Sequence, residues 1–286
     1  MPFTASCLLL MTSVLGQAAD APKLDEKQVA QLLVPYFQEQ AAKYEFFLDG
    51  QRQQKLDLAE KPVMRWTADG NYGAVWVWTR QGRAEVIGCL GAYVNAAGKL
   101  EGFHEFHSLT LKPLQKVEIG TVRSWESGKP GVEPKLLASA DPPAATDKLR
   151  LIQMRNLARE FTAEMRSGKQ THRLRLTPAP LYRFQSTNPD VLDGAIFSFL
   201  WDNGTDPEFL LLLEARQTAD GPRWHFAPVR FTWREVWVTH DDKELWRAPE
   251  HNEFWTSRAS RILRDNYVTC ATGLLDLDAI KSASNK

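Results

Sequence analysis

An excess charge of either sign is the first thing missing from this 286-residue chain: Lys plus Arg and Asp plus Glu each number 35, so the formal net charge is zero. Nucleic-acid binding draws on a basic excess that displaces counterions from phosphates, and a balanced chain offers none. The basic residues from Arg150 to Arg159 are offset by Glu160 and Glu164 and read as the solvated face of a helix. Cysteine is scarce, at three, which excludes a disulfide-dense scaffold and a CxxC metal knuckle. No run of eighteen apolar residues exists, so a membrane-spanning helix is not expected. A nucleophile elbow, a phosphate loop and a dinucleotide fingerprint are also absent, so no cofactor is indicated.

What is present begins with a short apolar stretch, residues 7–16 (CLLLMTSVLG), followed by small residues through Ala18 and Ala21. It reads as a signal peptide over residues 1–21, cleaved near Ala18 or Ala21, although no Lys or Arg precedes the apolar run. The expectation is an exported chain, periplasmic or secreted. Cleavage leaves Cys89 and Cys270, which could form one disulfide in that setting.

Two stretches are copies of each other. Residues 55–66 (KLDLAEKPVMRW) lie without a gap over residues 173–184 (RLRLTPAPLYRF). Downstream, residues 73–78 (GAVWVW) lie over 194–199 (GAIFSF), and 85–92 (EVIGCLGA) over 208–215 (EFLLLLEA). The offset drifts from 118 to 123, as it does when insertions collect in loops while strands keep their length. Trp125 lies over Trp246, which extends the copies further. Cys89 lies over the apolar Leu212, which favours a buried free thiol over a disulfide.

Each copy opens with a helix. Asp25 and Gln28 form a capping-box start, and Val29, Leu32, Leu33, Tyr36 and Phe37 follow at helical spacing, with Pro35 expected to kink or end the helix. In the second copy Thr146 is the cap, Leu151, Met154, Ala158, Phe161 and Met165 form the apolar stripe, and Gly168 is the terminator. Strands follow. The run 210–213 has no period of its own, but its counterpart carries Gly88 and Gly91, each costing about 1 kcal/mol in a helix, so both are strands. Strands apolar on both faces belong in the centre of a covered sheet. Short turns at Gln81-Gly82, Ala97-Gly98, Asn203-Gly204 and Asp220-Gly221 make neighbours antiparallel.

The expected fold class is therefore α+β and internally duplicated, each half one helix followed by a curved antiparallel β-meander, the halves related by a pseudo-twofold. The organisation reads as a first repeat over residues 25–126, a Pro/Gly/Ser-rich linker over 127–143, and a second repeat over 144–249. A tail follows over 250–286, with a short helix around Phe254 to Leu263.

Candidate sites are few. Residues 103–107 (FHEFH) lack the i, i+4 histidine spacing of a zinc helix, since the position four after His104 is Ser108. On a strand, Glu105 and His107 share a face and could act as an acid–base pair. The second copy has His225 opposite Glu105 and Ala227 opposite His107, so the pair is not repeated, and no metal site is indicated. A pair of satisfied polar groups at a sheet edge is the alternative. Arg65 and Arg183 occupy one place in both copies; each could clamp an anionic ligand or pair with a helix carboxylate or carbonyl. Trp66, Trp76 and Trp78 could stack on a ligand or serve as core, as Phe184, Phe197 and Phe199 would in the other copy. Asn203-Gly-Thr205 is a glycosylation sequon.

Residues 69–78, His104 to Phe106 with Ser108-Leu109, Leu157 to Phe161, 174–183 and 206–216 resemble a group of uncharacterised exported proteins common in planctomycete bacteria. The resemblance spans roughly residues 55–246, and the tail after Pro249 departs from it. It implies export and architecture and carries no catalytic residue. The expectation is an exported, non-catalytic binding or scaffold protein. The alternatives are a hydrolase-like enzyme using Glu105 and His107, and a subunit of a cell-envelope assembly.

Overall fold

The computed structural model describes residues 25–119, 123–201, 205–251 and 262–284. The expected signal peptide, the Asn203-Gly204 part of the sequon and the helix expected around Phe254 lie outside the described residues. In chain order the elements are α1 (Glu26–Ala42), β1 (Asp57–Leu58), β2 (Met64–Ala68), β3 (Asn71–Arg80), β4 (Arg83–Val94), β5 (Leu100–Ser108), β6 (Val117–Ile119), β7 (Arg123–Trp125) and β8 (Lys135–Leu136). Then come α2 (Asp147–Arg159), β9 (Phe161–Ser167), β10 (Gln170–Arg173), β11 (Arg175–Leu176), β12 (Tyr182–Phe184), β13 (Val191–Leu200), β14 (Pro207–Thr218) and β15 (Gly221–Arg230). The chain continues through β16 (Val236–His240), β17 (Lys243–Ala248), β18 (Ile262–Leu263), β19 (Tyr267–Leu274) and α3 (Leu277–Ser284). The protein is α+β with mostly antiparallel sheets, one of them curled into a half-barrel.

Two six-stranded sheets make the centre. One runs β1-β3-β4-β5-β19 with β2 also on β3; the other runs β11-β13-β14-β15-β8 with β12 also on β13. Their registers correspond at the aligned residues. Trp66 faces Gly73 as Phe184 faces Gly194, and Val75 faces Cys89 as Ile196 faces Leu212. In both sheets the aromatic ring lies across the glycine: a Cβ on Gly73 would meet Trp66 at 2.3 Å, and one on Gly194 would meet Phe184 at 2.3 Å. Only glycine leaves the ring that room. Val117 faces Trp125 as Val238 faces Trp246.

The two apolar faces of each central strand go to different places. Val75, Val77, Ile87 and Cys89 pack against Ile196, Leu210, Leu212 and Val229, which joins the sheets face to face. On the outer face of the first sheet, Trp76, Trp78 and Phe106 pack under Val29, Leu33, Phe37 and Ala41 of α1. On the outer face of the second, Phe197, Phe199 and Leu211 pack under Met154 and Ala158 of α2 and Phe161 and Met165 of β9. Cys89 belongs to the layer between the sheets and Cys270 to the layer under α1, so the two thiols lie on opposite faces of one sheet and form no disulfide with each other.

Several expectations are corrected. Helix α1 runs through Pro35 to Ala42, because Pro35 is on the exposed face and the buried stripe Val29, Leu33, Phe37, Ala41 holds both sides of it. The Asp25–Gln28 capping box forms as expected, with both hydrogen bonds in place. Helix α2 starts at its Thr146 cap but stops at Arg159. Phe161 and Met165 fit a helical stripe and also an alternating one; buried Ala163 between them, flanked by half-buried Thr162 and Glu164, makes the segment strand β9. Gly168 sits at positive φ in the β9–β10 hairpin. The supposed linker supplies β8, which pairs with β15, and the tail supplies β19, which pairs with β5. Each central sheet is thus completed by a strand from outside its own meander. Ile262 and Leu263 form strand β18 beside β7, and the described helix of the tail is α3.

Candidate functional site

Corresponding ends of the two sheets carry different charged groups. The β3–β4 hairpin turns through Gln81 and Gly82, both at positive φ, and places Arg83 at the start of β4. Arg83 is 3% exposed. Its Nε donates to Glu214 Oε1 at 2.7 Å, and its Nη1 donates to Glu85 Oε2 at 2.8 Å and to the Leu109 carbonyl at 3.0 Å. The second Glu214 oxygen accepts from Arg216 at 2.8 Å. The loop after β12 closes over this turn, so near that a Cβ on Gly82 would meet the Gln185 carbonyl at 2.4 Å. This end is sealed.

At the other end the same backbone frame holds different side chains. The Phe231 N–H donates to the Glu208 carbonyl just as the Leu109 N–H donates to the Glu85 carbonyl. Glu208 therefore takes the place of Glu85, Asp206 that of Arg83, and Gly91 that of Glu214, since Gly91 faces Gly73 as Glu214 faces Gly194. Replacing the arginine by an aspartate and the second glutamate by a glycine leaves a pocket of about 570 Å³. Glu105, Asp206, Glu208 and Arg234 line it, with Trp66, Tyr93, Phe103, Trp201, Phe231 and Trp233 as its walls. Both sheets contribute, so the pocket exists only because they are packed together.

Burial dominates the electrostatics of these acids. Glu105 accepts a hydrogen bond from the Tyr267 hydroxyl of β19. Burial nevertheless pushes its carboxyl up to about 7, with the Tyr267 bond pulling the other way. Glu208, 3% exposed, is pushed up to about 8 by burial and then by the negative charge of Asp206; Arg234 and Thr232 oppose the shift. Asp206 is raised by burial as well. The Arg234 Nη1 stands 3.8 Å from Glu208 Oε1, beyond hydrogen-bond reach, and its guanidinium lies over the rings of Trp201 and Trp233 at 5.2 and 4.7 Å. A carboxyl held near pH 7 in a cleft is a group poised to exchange its proton for another positive charge.

The residues singled out from sequence are dispersed by the fold. Glu105 lines the pocket. His107, two residues on, lines a second cavity of about 470 Å³ together with Arg230, His251 and Tyr267. Its Nδ1 donates to the Ser108 carbonyl at 2.7 Å, and burial lowers the imidazole to about 4, so it is neutral. Tyr267 stands between the two: its backbone is the β19 partner of His107, and its hydroxyl goes to Glu105. His225 faces Glu214, and Glu214 corresponds to Gly91, whose partner is Phe103. The counterpart of Glu105 is thus Ala227, facing Leu212 as Glu105 faces Cys89; the expected pairing of Glu105 with His225 was two residues out of register.

The two matched arginines also part company. Arg183 donates to Asp193 from Nε and Nη2 at 3.2 and 2.7 Å and to the Asp147 carbonyl at 2.6 Å, and Arg150 shares Asp193 at 2.9 Å. Its partners are thus a strand carboxylate and a carbonyl at the start of α2. Arg65 is exposed on β2, where Tyr72 stands in the place of Asp193. Trp76 and Trp78 are core, while Trp66 is both core and pocket wall. Among the described residues no three His, Cys, Asp or Glu side chains are grouped so as to hold a metal ion, and no described helix is long and apolar enough to cross a membrane.

Sequence reasoning missed Asp206, Glu208 and Arg234. The signal for two of them was present in the matched stretches: Glu208 lies over Glu85, and Arg83 has an acid, Asp206, as its counterpart. No family model matches the chain, and neither a curated protein nor a solved structure does.

Proposed function

We propose that this is an exported, non-catalytic binding protein whose small-molecule ligand occupies the pocket between the two central sheets. The observation that carries the reading is the contrast between corresponding ends: one is sealed by a network of two arginines, Arg83 and Arg216, on two glutamates, Glu85 and Glu214; the other is a walled pocket in which Arg234 is set against Glu105, Asp206 and Glu208. A fold maintained for its own stability would favour the sealed arrangement at both ends, because buried carboxylates without a counter-charge destabilise. The volume and the aromatic walls suit a ligand of modest size. The hydrolase reading is less well supported, since Glu105 and His107 line different cavities and bond to different partners. We further propose that the halves arose by duplication, which the matching registers support, and that the pocket is confined to one of two once-equivalent places.

The binding reading is tested with Ala68→Trp, which fills the pocket from β2. A mixed panel of small molecules, screened by thermal unfolding, should yield compounds that stabilise the parent and leave the folded variant unmoved. Compounds that stabilise both proteins equally would place binding elsewhere and end the proposal.

Export rests on the apolar stretch and Ala18. Protein recovered from its native host should begin near Ala19 or Pro22 by mass spectrometry. Recovery with Met1 intact would refute export.

A further inference from the structure

We infer that the ligand of this pocket is an organic cation, a guanidinium or ammonium group carried on an apolar body. This deepens the binding reading above and rests on it. The chain holds its own template for the interaction. At the corresponding end, the guanidinium of Arg83 lies between two buried carboxylates, Glu85 and Glu214, at 2.8 and 2.7 Å. In the pocket the Glu85 counterpart, Glu208, is retained and equally buried, while the residue that would supply the cation is Asp206. The charge at that one position has changed by two units. Glu105, whose counterpart is Ala227, adds a further acid from β5. Among the described residues Arg234 is the one basic residue in the lining, set against Asp69, Glu105, Asp206 and Glu208.

The walls point the same way. Trp and Tyr rings attract a cation over their faces, and the attraction grows when water is excluded. Arg234 already shows that these rings accept a guanidinium, lying over Trp201 and Trp233. Trp66, Tyr93 and Phe103 line the pocket beside Glu105. A metal ion is a poorer match, because it needs several oxygens converging on one point and no such group of three occurs among the described residues. An organic cation spreads its charge and its apolar surface over a larger space, as this lining does. With the pocket unliganded, the acids relieve their burial by holding protons; a bound cation lets them ionise.

The experiment is isothermal titration of the full mature chain with four probes: benzylamine, butylguanidine, benzyl alcohol and benzoate. The two cations should bind, and the neutral and anionic probes should bind at least tenfold more weakly. Glu208→Gln, which keeps the shape and removes the charge, should weaken the cations about tenfold or more while leaving the alcohol unchanged. Affinity for the cations should rise between pH 6 and pH 8.5. The groups facing the acids are Tyr267, Asp206, Arg230 and Arg234 around Glu105, and Asp206, Arg234, Thr232 and Glu105 around Glu208. Of all these, it is the carboxyls whose ionisation in that range favours a cation.

Tighter binding of the alcohol or the benzoate would overturn the cation inference and leave the binding reading standing. The same holds if Glu208→Gln and Glu105→Gln both bind the cations as the parent does. No binding of any probe, with no compound in the wider panel blocked by Ala68→Trp, would remove the binding reading and this inference together.

Discussion

Replacing Arg83 by Met is expected to lower the stability of the folded chain by about 3–5 kcal/mol, measured by urea unfolding at pH 7. Arg83 is 3% exposed and Glu214 1%, so neither water nor a surface counter-ion can take over the lost charge. The substitution leaves Glu85 and Glu214 facing each other in the protein interior, with Arg216 holding only the outer oxygen of Glu214. It also frees the Leu109 carbonyl that Arg83 satisfies. Methionine restores most of the volume, so the loss is electrostatic and separable from a cavity. Adding Glu85→Gln and Glu214→Gln to the Met variant should recover a large part of the stability, since a buried network replaced as a whole can be nearly neutral. A loss below about 1 kcal/mol for Arg83→Met alone would mean that the network is hydrated, and the contrast between a sealed and an unsealed end would lose its basis.

Glu208→Gln should do the reverse and stabilise the protein, increasingly so as pH rises. The folded-state carboxyl is raised to about 8 from an ordinary 4.5. Below pH 4.5 the proton is bound in both folded and unfolded chains, and the side chain contributes no pH dependence. Between 4.5 and 8 the unfolded chain gives up the proton while the folded chain keeps it, so the native state loses stability relative to the unfolded one as pH rises. Above 8 that loss is complete. Glutamine has no proton to lose. The variant's advantage should therefore grow from near zero at pH 4.5 to about 2–4 kcal/mol at pH 8.5, taking 1.36 kcal/mol per unit and allowing for relaxation around the new charge. Paired thermal melts across that range provide the measurement. A difference that stays constant with pH would show that Glu208 ionises normally, and that the pocket carries no electrostatic tension for a ligand to relieve. Set beside the loss of cation binding expected from the same substitution, the stabilisation describes a residue kept for binding at the expense of stability.

Much of the frame could be read from the residues alone. The drifting offset between the matched stretches anticipated the registers that place Trp66 on Gly73 and Phe184 on Gly194. The unbroken apolar runs at Trp76 to Trp78 and 210–213 anticipated central strands covered on both faces. Local chemistry sufficed for the Asp25 capping box, the Thr146 cap and the Gln81-Gly82 turn, because each depends on contacts within a few residues. Burial of Cys89 followed from its match to Leu212. Tertiary structure decided the rest. Phe161 and Met165 satisfy two periods at once, and only the packing of Ala163 against the second sheet selects the strand. Strands β8 and β19 are short or far along the chain from the edges they complete, and nothing local announces a partner more than 80 residues away. Glu105 has Ala227 and not His225 as its counterpart, and a register slip of two residues preserves the face while changing the occupant. Pattern alone cannot detect that. The pocket is the clearest case: Glu208 was visible over Glu85 from the outset, but its meaning depends on Arg83 being absent from its side. That absence has consequences only where a second sheet, packed face to face, removes the water that would otherwise have screened the charge.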